Sequence, residues 1–201
     1  MGLRNEREAQ GARRGALRGG CVVRNELTTP LYSEIISQVP VAGKQGERID
    51  ARDFALGVGK AHLARTLEVE SYGRTKTYTT SGVWVLVEAA AEAKRESLAL
   101  TAAEWIGPSG VRYALSQRFS SAPGMVQTVN FEPGLPMPFL LAFEVPENEA
   151  FGGTLLVSRT LITPLGEQIR MPVSDLRADD IRSTIAIGPG GGGLPWTLEA
   201  R

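Results

Sequence analysis

The chain has 201 residues, enough for one domain of about 150 residues with extensions. Lys plus Arg total 22 and Asp plus Glu total 22, so the formal charge is zero, which argues against a nucleic-acid binder working through a basic domain surface. One Cys excludes an internal disulfide and a Cys-based zinc site, and one His excludes any site that needs two.

The chain begins with an Arg-rich arm. Residues 1–25 carry Arg4, Arg7, Arg13, Arg14, Arg18 and Arg24 against Glu6 and Glu8, a local charge of +4. Residues 26–201 hold the other 16 basic and 20 acidic side chains and balance at −4, so the domain itself is mildly acidic. A signal peptide needs roughly 7–15 apolar residues after its basic region. Here Gly19, Gly20, Cys21, Val22 and Val23 run straight into Arg24, so neither a signal peptide nor a transmembrane helix is visible. Cys21 after two glycines invites a lipoprotein reading, but the hydrophobic segment it requires is missing. The arm reads as irregular through residue 47, with one short helical turn at Leu31, Ile35, Ile36 and Val39. Gly43 and Gly46 mark a linker.

From Arg52 the texture is β. Leu63, Arg65, Leu67 and Val69 alternate with Ala64, Thr66 and Glu68, and Thr75 to Thr80 is rich in β-branched residues. Residues 87–105 are full of Ala, Glu, Lys, Arg and Leu, and propensity alone makes a helix over 88–104 the alternative. The alternation of Val83, Val85 and Val87 against Trp84 and Leu86 instead predicts a central strand over 82–93. A second strand follows over Leu98 to Glu104. Gly107-Pro108-Ser109-Gly110 is a tight turn that joins Trp105 to Val111–Leu115 as a hairpin. Residues 118–137 are a loop rich in Pro and Gly. Phe139 to Val145 and Leu155 to Ile162 are further strands. Short strands with Gly/Pro turns and no βαβ rhythm predict an all-β sandwich. The boundaries are 1–47 for the basic arm, 48–176 for the sandwich, and 177–201 for a flexible tail around GPGGGG at 188–193.

Candidate chemistry is sparse. Gly57-Val58-Gly59 lacks the third glycine and the βαβ context of a dinucleotide fingerprint, and reads as a kinked or bulged strand. His62 could serve as general base for Ser71 or Ser81 only if the fold joined them, which leaves a Ser/His hydrolase as the least favoured reading. Asp175, Asp179 and Asp180 do not have cation-loop spacing. Glu88 and Glu92 share a strand face that Lys94 and Arg95 explain as solvated. No catalytic, cofactor or metal residue is therefore assigned. Trp84 and Leu86 give the central strand a second apolar face. Either another segment covers it, such as Tyr32–Val39, or it contacts a partner. Trp196, beyond the glycine tether, is the third possible contact.

Three features together resemble a known family. They are the strand opening Ser81-Gly82-Val83-Trp84-Val85-Leu86-Val87, the hairpin Trp105 to Tyr113, and Glu132-Pro133-Gly134 followed after eight residues by Phe143-Glu144-Val145-Pro146. Over Arg52 to Pro164 the chain is similar to bacterial immunoglobulin-like domains of unknown function, described as immunoprotective extracellular, immunoglobulin-like domains. The resemblance implies an immunoglobulin-like two-sheet sandwich of about a hundred residues. It also implies an extracytoplasmic or membrane-associated location, and it brings no catalytic residues. The expected function is a non-enzymatic envelope domain recognising a protein or cell-wall partner, without nucleic acid. The alternative is the structural soluble portion of an envelope complex, its basic arm at the membrane surface.

Overall fold

The computed structural model describes residues 37–161 and 165–201. The Arg-rich arm, Cys21, most of the turn expected at 31–39 and Ile162 lie outside the described residues, and the strand expected at 155–162 ends at Ser158. The remainder is an all-β, two-sheet sandwich. Its strands are β1 (Val39–Ala42), β2 (Arg48–Asp50), β3 (Phe54–Ser71), β4 (Arg74–Ala93), β5 (Ala102–Ile106), β6 (Arg112–Ala114), β7 (Met137–Val145), β8 (Thr154–Ser158), β9 (Glu167–Pro172), β10 (Ile181–Pro189) and β11 (Trp196–Ala200). One helical turn, α1 (Glu147–Ala150), separates β7 from β8.

The first sheet has the order β1-β9-β8-β5-β6 and the second β11-β10-β3-β4-β7, with β2 also paired to β3. The period-two pattern of β4 decides how they stack. Val83, Val85 and Val87 face the first sheet with Phe139, Leu141 and Phe143 of β7. Trp105, Leu155, Val157, Ile169 and Met171 meet them from the other side. Trp105 and Phe143 touch between the sheets at 6.1 Å between ring centroids, and the Trp105 indole N–H donates to the Glu149 carbonyl at 2.8 Å.

The alternative helix over 88–104 does not form. Ala89 and Ala91 are strand residues because β3 and β7 pair with both edges of β4 there, Ala93 pairs with Phe54 of β3, and sheet pairing overrides helix propensity. The strand expected at Leu98 begins at Ala102, and Leu98 instead bridges Phe131. Gly59 and Lys60 form the bulge anticipated at the glycine pair, both standing opposite Glu88 between the registered pairs Val58/Ala89 and Ala61/Val87.

Two boundaries change. The arm assigned to 1–47 ends in β1, which pairs in parallel with β9, so residues 39–42 belong to the first sheet. The segment 177–201 is no loose tail. β10 pairs in parallel with β3, and β11 pairs with β10. The glycine run is the turn between them, closed by the Gly190 N–H donating to the Pro195 carbonyl at 3.1 Å. Gly192 and Gly193 take positive φ there, +74° and +111°, which is the conformational reason for glycine at those positions.

Around Val83–Val87 the second sheet is buried on both faces. Trp84 and Leu86 are fully buried, packed with Leu140, Ala142, Leu67, Ile185 and Ile187. Phe119, Ala122 and Met125 of the loop after β6 cover them, together with Trp196 from β11. The loop is fastened to the free edge of β7 by the Ser116 N–H on the Ala142 carbonyl and the Leu140 N–H on the Gly124 carbonyl. Trp84, Leu86 and Trp196, expected as partner contacts, are therefore the centre of a second core within the chain.

Candidate functional site

β3 and β4 run past the point where β7 ends and form a hairpin arm. Its loop is Tyr72-Gly73, with φ of +53° and +70°. Two successive left-handed residues make the primed turn whose twist suits a hairpin, which normally selects Asn-Gly. Gly73 fits at no steric cost, whereas Tyr72 is a bulky residue in the left-handed region and is fully exposed. Replacing Tyr72 by Asn is expected to stabilise the fold by about 1 kcal/mol, read as a higher denaturant midpoint at unchanged slope. A bulky side chain in that conformation, fully exposed, makes Tyr72 a candidate contact residue.

A two-residue loop makes Ser71 and Arg74 the first paired residues, followed by Glu70/Thr75, Val69/Lys76, Glu68/Thr77 and Leu67/Tyr78. The arm is consequently two-faced. Arg74, Lys76 and Tyr78 share one face with Val69 and Ser71, while Glu68 and Glu70 share the other with Thr75 and Thr77. The first face and the covering loop enclose an open groove of about 430 Å³, with Tyr72, Arg74, Lys76 and Tyr78 on one wall and Phe119 and Ser121 on the other.

The aromatic wall is fixed in place. Phe119 lies 5.1 Å from Tyr78 and 5.3 Å from Trp84 between ring centroids. The Trp84 indole N–H donates to the Tyr78 carbonyl at 3.1 Å. Arg118 stacks over both Tyr78 and Trp84, donates to the Thr79 carbonyl at 2.8 Å and pairs with Glu144 at 3.3 Å. Arg74 and Lys76, by contrast, are exposed, and no carboxylate of the described residues pairs with either. Glu68 on the opposite face is paired with Arg201 at 3.3 Å. The arrangement supplies uncompensated positive charge, an exposed phenol and a rigid aromatic surface, which suits binding of an anionic partner.

The remaining sequence candidates separate. The His62 Nε2 lies 2.6 Å from Glu88 Oε1, so His62 is engaged with a carboxylate and not with Ser71 or Ser81. Asp175 accepts the Ala61 N–H at 3.2 Å, and Asp179 and Asp180 sit in a single helical turn before β10. No group of three or more His, Cys, Asp and Glu able to hold a metal occurs among the described residues, and no helix among them is long and apolar enough to cross a membrane.

Glu92 bonds Arg48, and Asp50 bonds Lys94 at 2.9 Å. The Lys94 ammonium holds the Asp50 carboxyl below the usual carboxylate range, and the Arg48 guanidinium does the same for Glu92. A carboxyl lowered in the folded state stabilises the fold above its unfolded value, near about 4, and that contribution disappears as the pH falls through the lower folded value. The denaturant midpoint is therefore expected to be level above about pH 5 and to fall below about pH 4. The same titration on Glu92→Gln should show a shallower fall.

The groove residues Tyr72, Arg74 and Lys76 were not singled out from the sequence. The available signal was Tyr72-Gly73 between two alternating segments, a two-residue loop disguised by a tyrosine where Asn is usual.

No family model matches the sequence, and no curated protein is significantly similar to it. Three solved structures are similar to the fold. One is an uncharacterised β-sandwich protein from Clostridium difficile 630, at 13% identity and TM-score 0.45, the match covering 69% of this chain and 97% of that one. The YjhA protein from Bacillus subtilis matches at 13% identity and TM-score 0.45, covering 64% and 98%. The secreted protein MPT63 from Mycobacterium tuberculosis matches at 14% identity and TM-score 0.48, covering 67% and 98%. These are likenesses of fold alone.

Proposed function

We propose that the chain is a non-enzymatic binding domain of the cell envelope that recognises a protein or cell-wall partner through the groove beside the hairpin arm. The observation that carries the binding role is the pair of exposed cations, Arg74 and Lys76, without carboxylate partners among the described residues and next to Tyr72 and a rigid aromatic wall. Elsewhere the arginines are mostly matched, as in Arg48–Glu92, Arg65–Glu147 and Arg112–Glu104. The envelope location is supported by the sequence resemblance to extracellular immunoglobulin-like domains. The register pairs His62 with Leu86, which keeps it away from Ser71 and Ser81, and this supports a reading without a Ser/His nucleophile.

The test uses the full chain as bait against purified cell walls and against detergent-extracted envelope proteins. Capture by the wild type that is lost in the double variant Arg74→Glu, Lys76→Glu supports the proposal. Capture unchanged by the charge reversal overturns the groove as the site. A hydrolase activity abolished by His62→Ala overturns the non-enzymatic role.

A further inference from the structure

We infer that the groove takes an acidic polypeptide segment in extended form, added as an extra strand along the open edge of β4. The inference rests on the proposed binding role and specifies its partner. β7 pairs with β4 only from Val83 to Ala91, and Thr80 to Val83 form a bulge opposite Arg65, so the regular open edge of β4 runs from Arg74 to Thr79, with no strand beside it among the described residues. Unpaired edges are the usual template for strand addition; here the bulge and Arg118 on the Thr79 carbonyl close one end of the edge and leave Arg74 to Tyr78 open.

The register says which groups are on offer. With a two-residue loop, Ser71/Arg74 is a hydrogen-bonded pair, and so by alternation are Val69/Lys76 and Leu67/Tyr78. The backbones of Thr75, Thr77 and Thr79 therefore point away from β3, toward the open edge. The Thr79 carbonyl confirms this direction by accepting Arg118 from that side. Thr75 and Thr77 keep both their N–H and C=O groups for a newcomer. The β-branched run Thr75–Thr80 suits a strand, and β3 holds it in register for pairing.

The charge of the newcomer follows from the two-faced arm. Alternate side chains of an added strand would fall on the groove face beside Arg74, Lys76 and Tyr78, and the intervening ones beside Thr75 and Thr77. Acidic residues at every second position would meet the two uncompensated cations. Basic residues there would face like charges, which is unfavourable for directly opposed cross-strand pairs. Main-chain bonds would supply affinity and the cations would supply selectivity.

The experiment measures fluorescence anisotropy of a fluorescein-labelled nine-residue peptide alternating Glu and Val against the full chain. The expected result is binding that the Lys-for-Glu peptide lacks. Thr77→Pro removes one outward N–H without touching a β3–β4 bond, and should weaken binding about tenfold or more. The same peptide N-methylated at alternate amides should lose binding to the wild-type chain, which keeps the test independent of how well Thr77→Pro folds. The double variant Arg74→Glu, Lys76→Glu should also lose it. Binding that survives both Thr77→Pro and N-methylation but not charge reversal overturns strand addition while leaving the groove as the site. Binding of polyacrylate with none of the Glu peptide overturns the peptide partner in favour of an anionic polymer. Concentration-dependent self-association that Thr77→Pro abolishes, with no peptide binding, overturns it in favour of a second copy on the edge.

Discussion

Replacing Trp84 by Ala is expected to cost about 3–5 kcal/mol, the range for truncating a large aromatic side chain in a core. Trp84 is fully buried and sits where three elements meet: the outer face of β4, the loop that carries Phe119, and the guanidinium of Arg118. Its removal leaves a cavity between sheet and loop. It also leaves the Tyr78 carbonyl without the indole donor, a further loss of about 1 kcal/mol. Domains are stable by only about 5–15 kcal/mol, so this is a large share. For a chain of this size it amounts to a fall in melting temperature of roughly 10 °C. Thermal melting by circular dichroism checks it. A change of less than about 1 kcal/mol would show that the outer core contributes little to stability.

The second large effect is expected at the other end of the chain. Trp196 is buried, and its ring lies so close to Gly124 that a Cβ there would overlap it. Gly124 also has φ of +75°, so the position requires glycine on two counts. Trp196→Ala should cost about 3 kcal/mol or more. Truncation before Gly190, which removes β11 entirely, should cost more still, because β10 then loses one of its two partners. If the truncated chain melts with the full-length one, the carboxyl end is not part of the cooperative unit. Gly124→Ala makes the same prediction from the loop side, since the added methyl and the indole compete for one space.

The parts of the fold legible in the sequence are those where a local period meets a local partner. Strand β4 could be read because Val83, Val85 and Val87 alternate against Trp84 and Leu86, and its neighbours on both sides carry the same pattern. The hairpin of β5 and β6 could be read from Gly107 to Gly110, whose turn chemistry is local. The second apolar face of β4 was legible as a face in want of a cover. Its cover was not, since Phe119 and Trp196 reach it from distant parts of the chain. β10 was hidden by the glycines that follow it, although Ile181, Ile185 and Ile187 carry a strand signal once the turn is discounted. The site was hidden for a related reason. Neither Arg74 nor Lys76 differs from any surface cation until the register shows that they share a face, and that no acid of the described residues on that face answers them.

The parallel pairing of β10 with β3 has a consequence during synthesis. The strands that meet at Leu63 and Ile181 are separated by most of the domain, and β11 comes after both. Until β10 and β11 leave the ribosome, Leu67, Val69, Trp84 and Phe119 lack Ile185, Ile187 and Trp196. The outer core stays open until those two strands emerge, and long-range pairings of this kind are slow to form once they can. A nascent chain halted before β10 would carry an exposed aromatic surface beside an unpaired β3 edge, a combination that invites capture by a chaperone or aggregation.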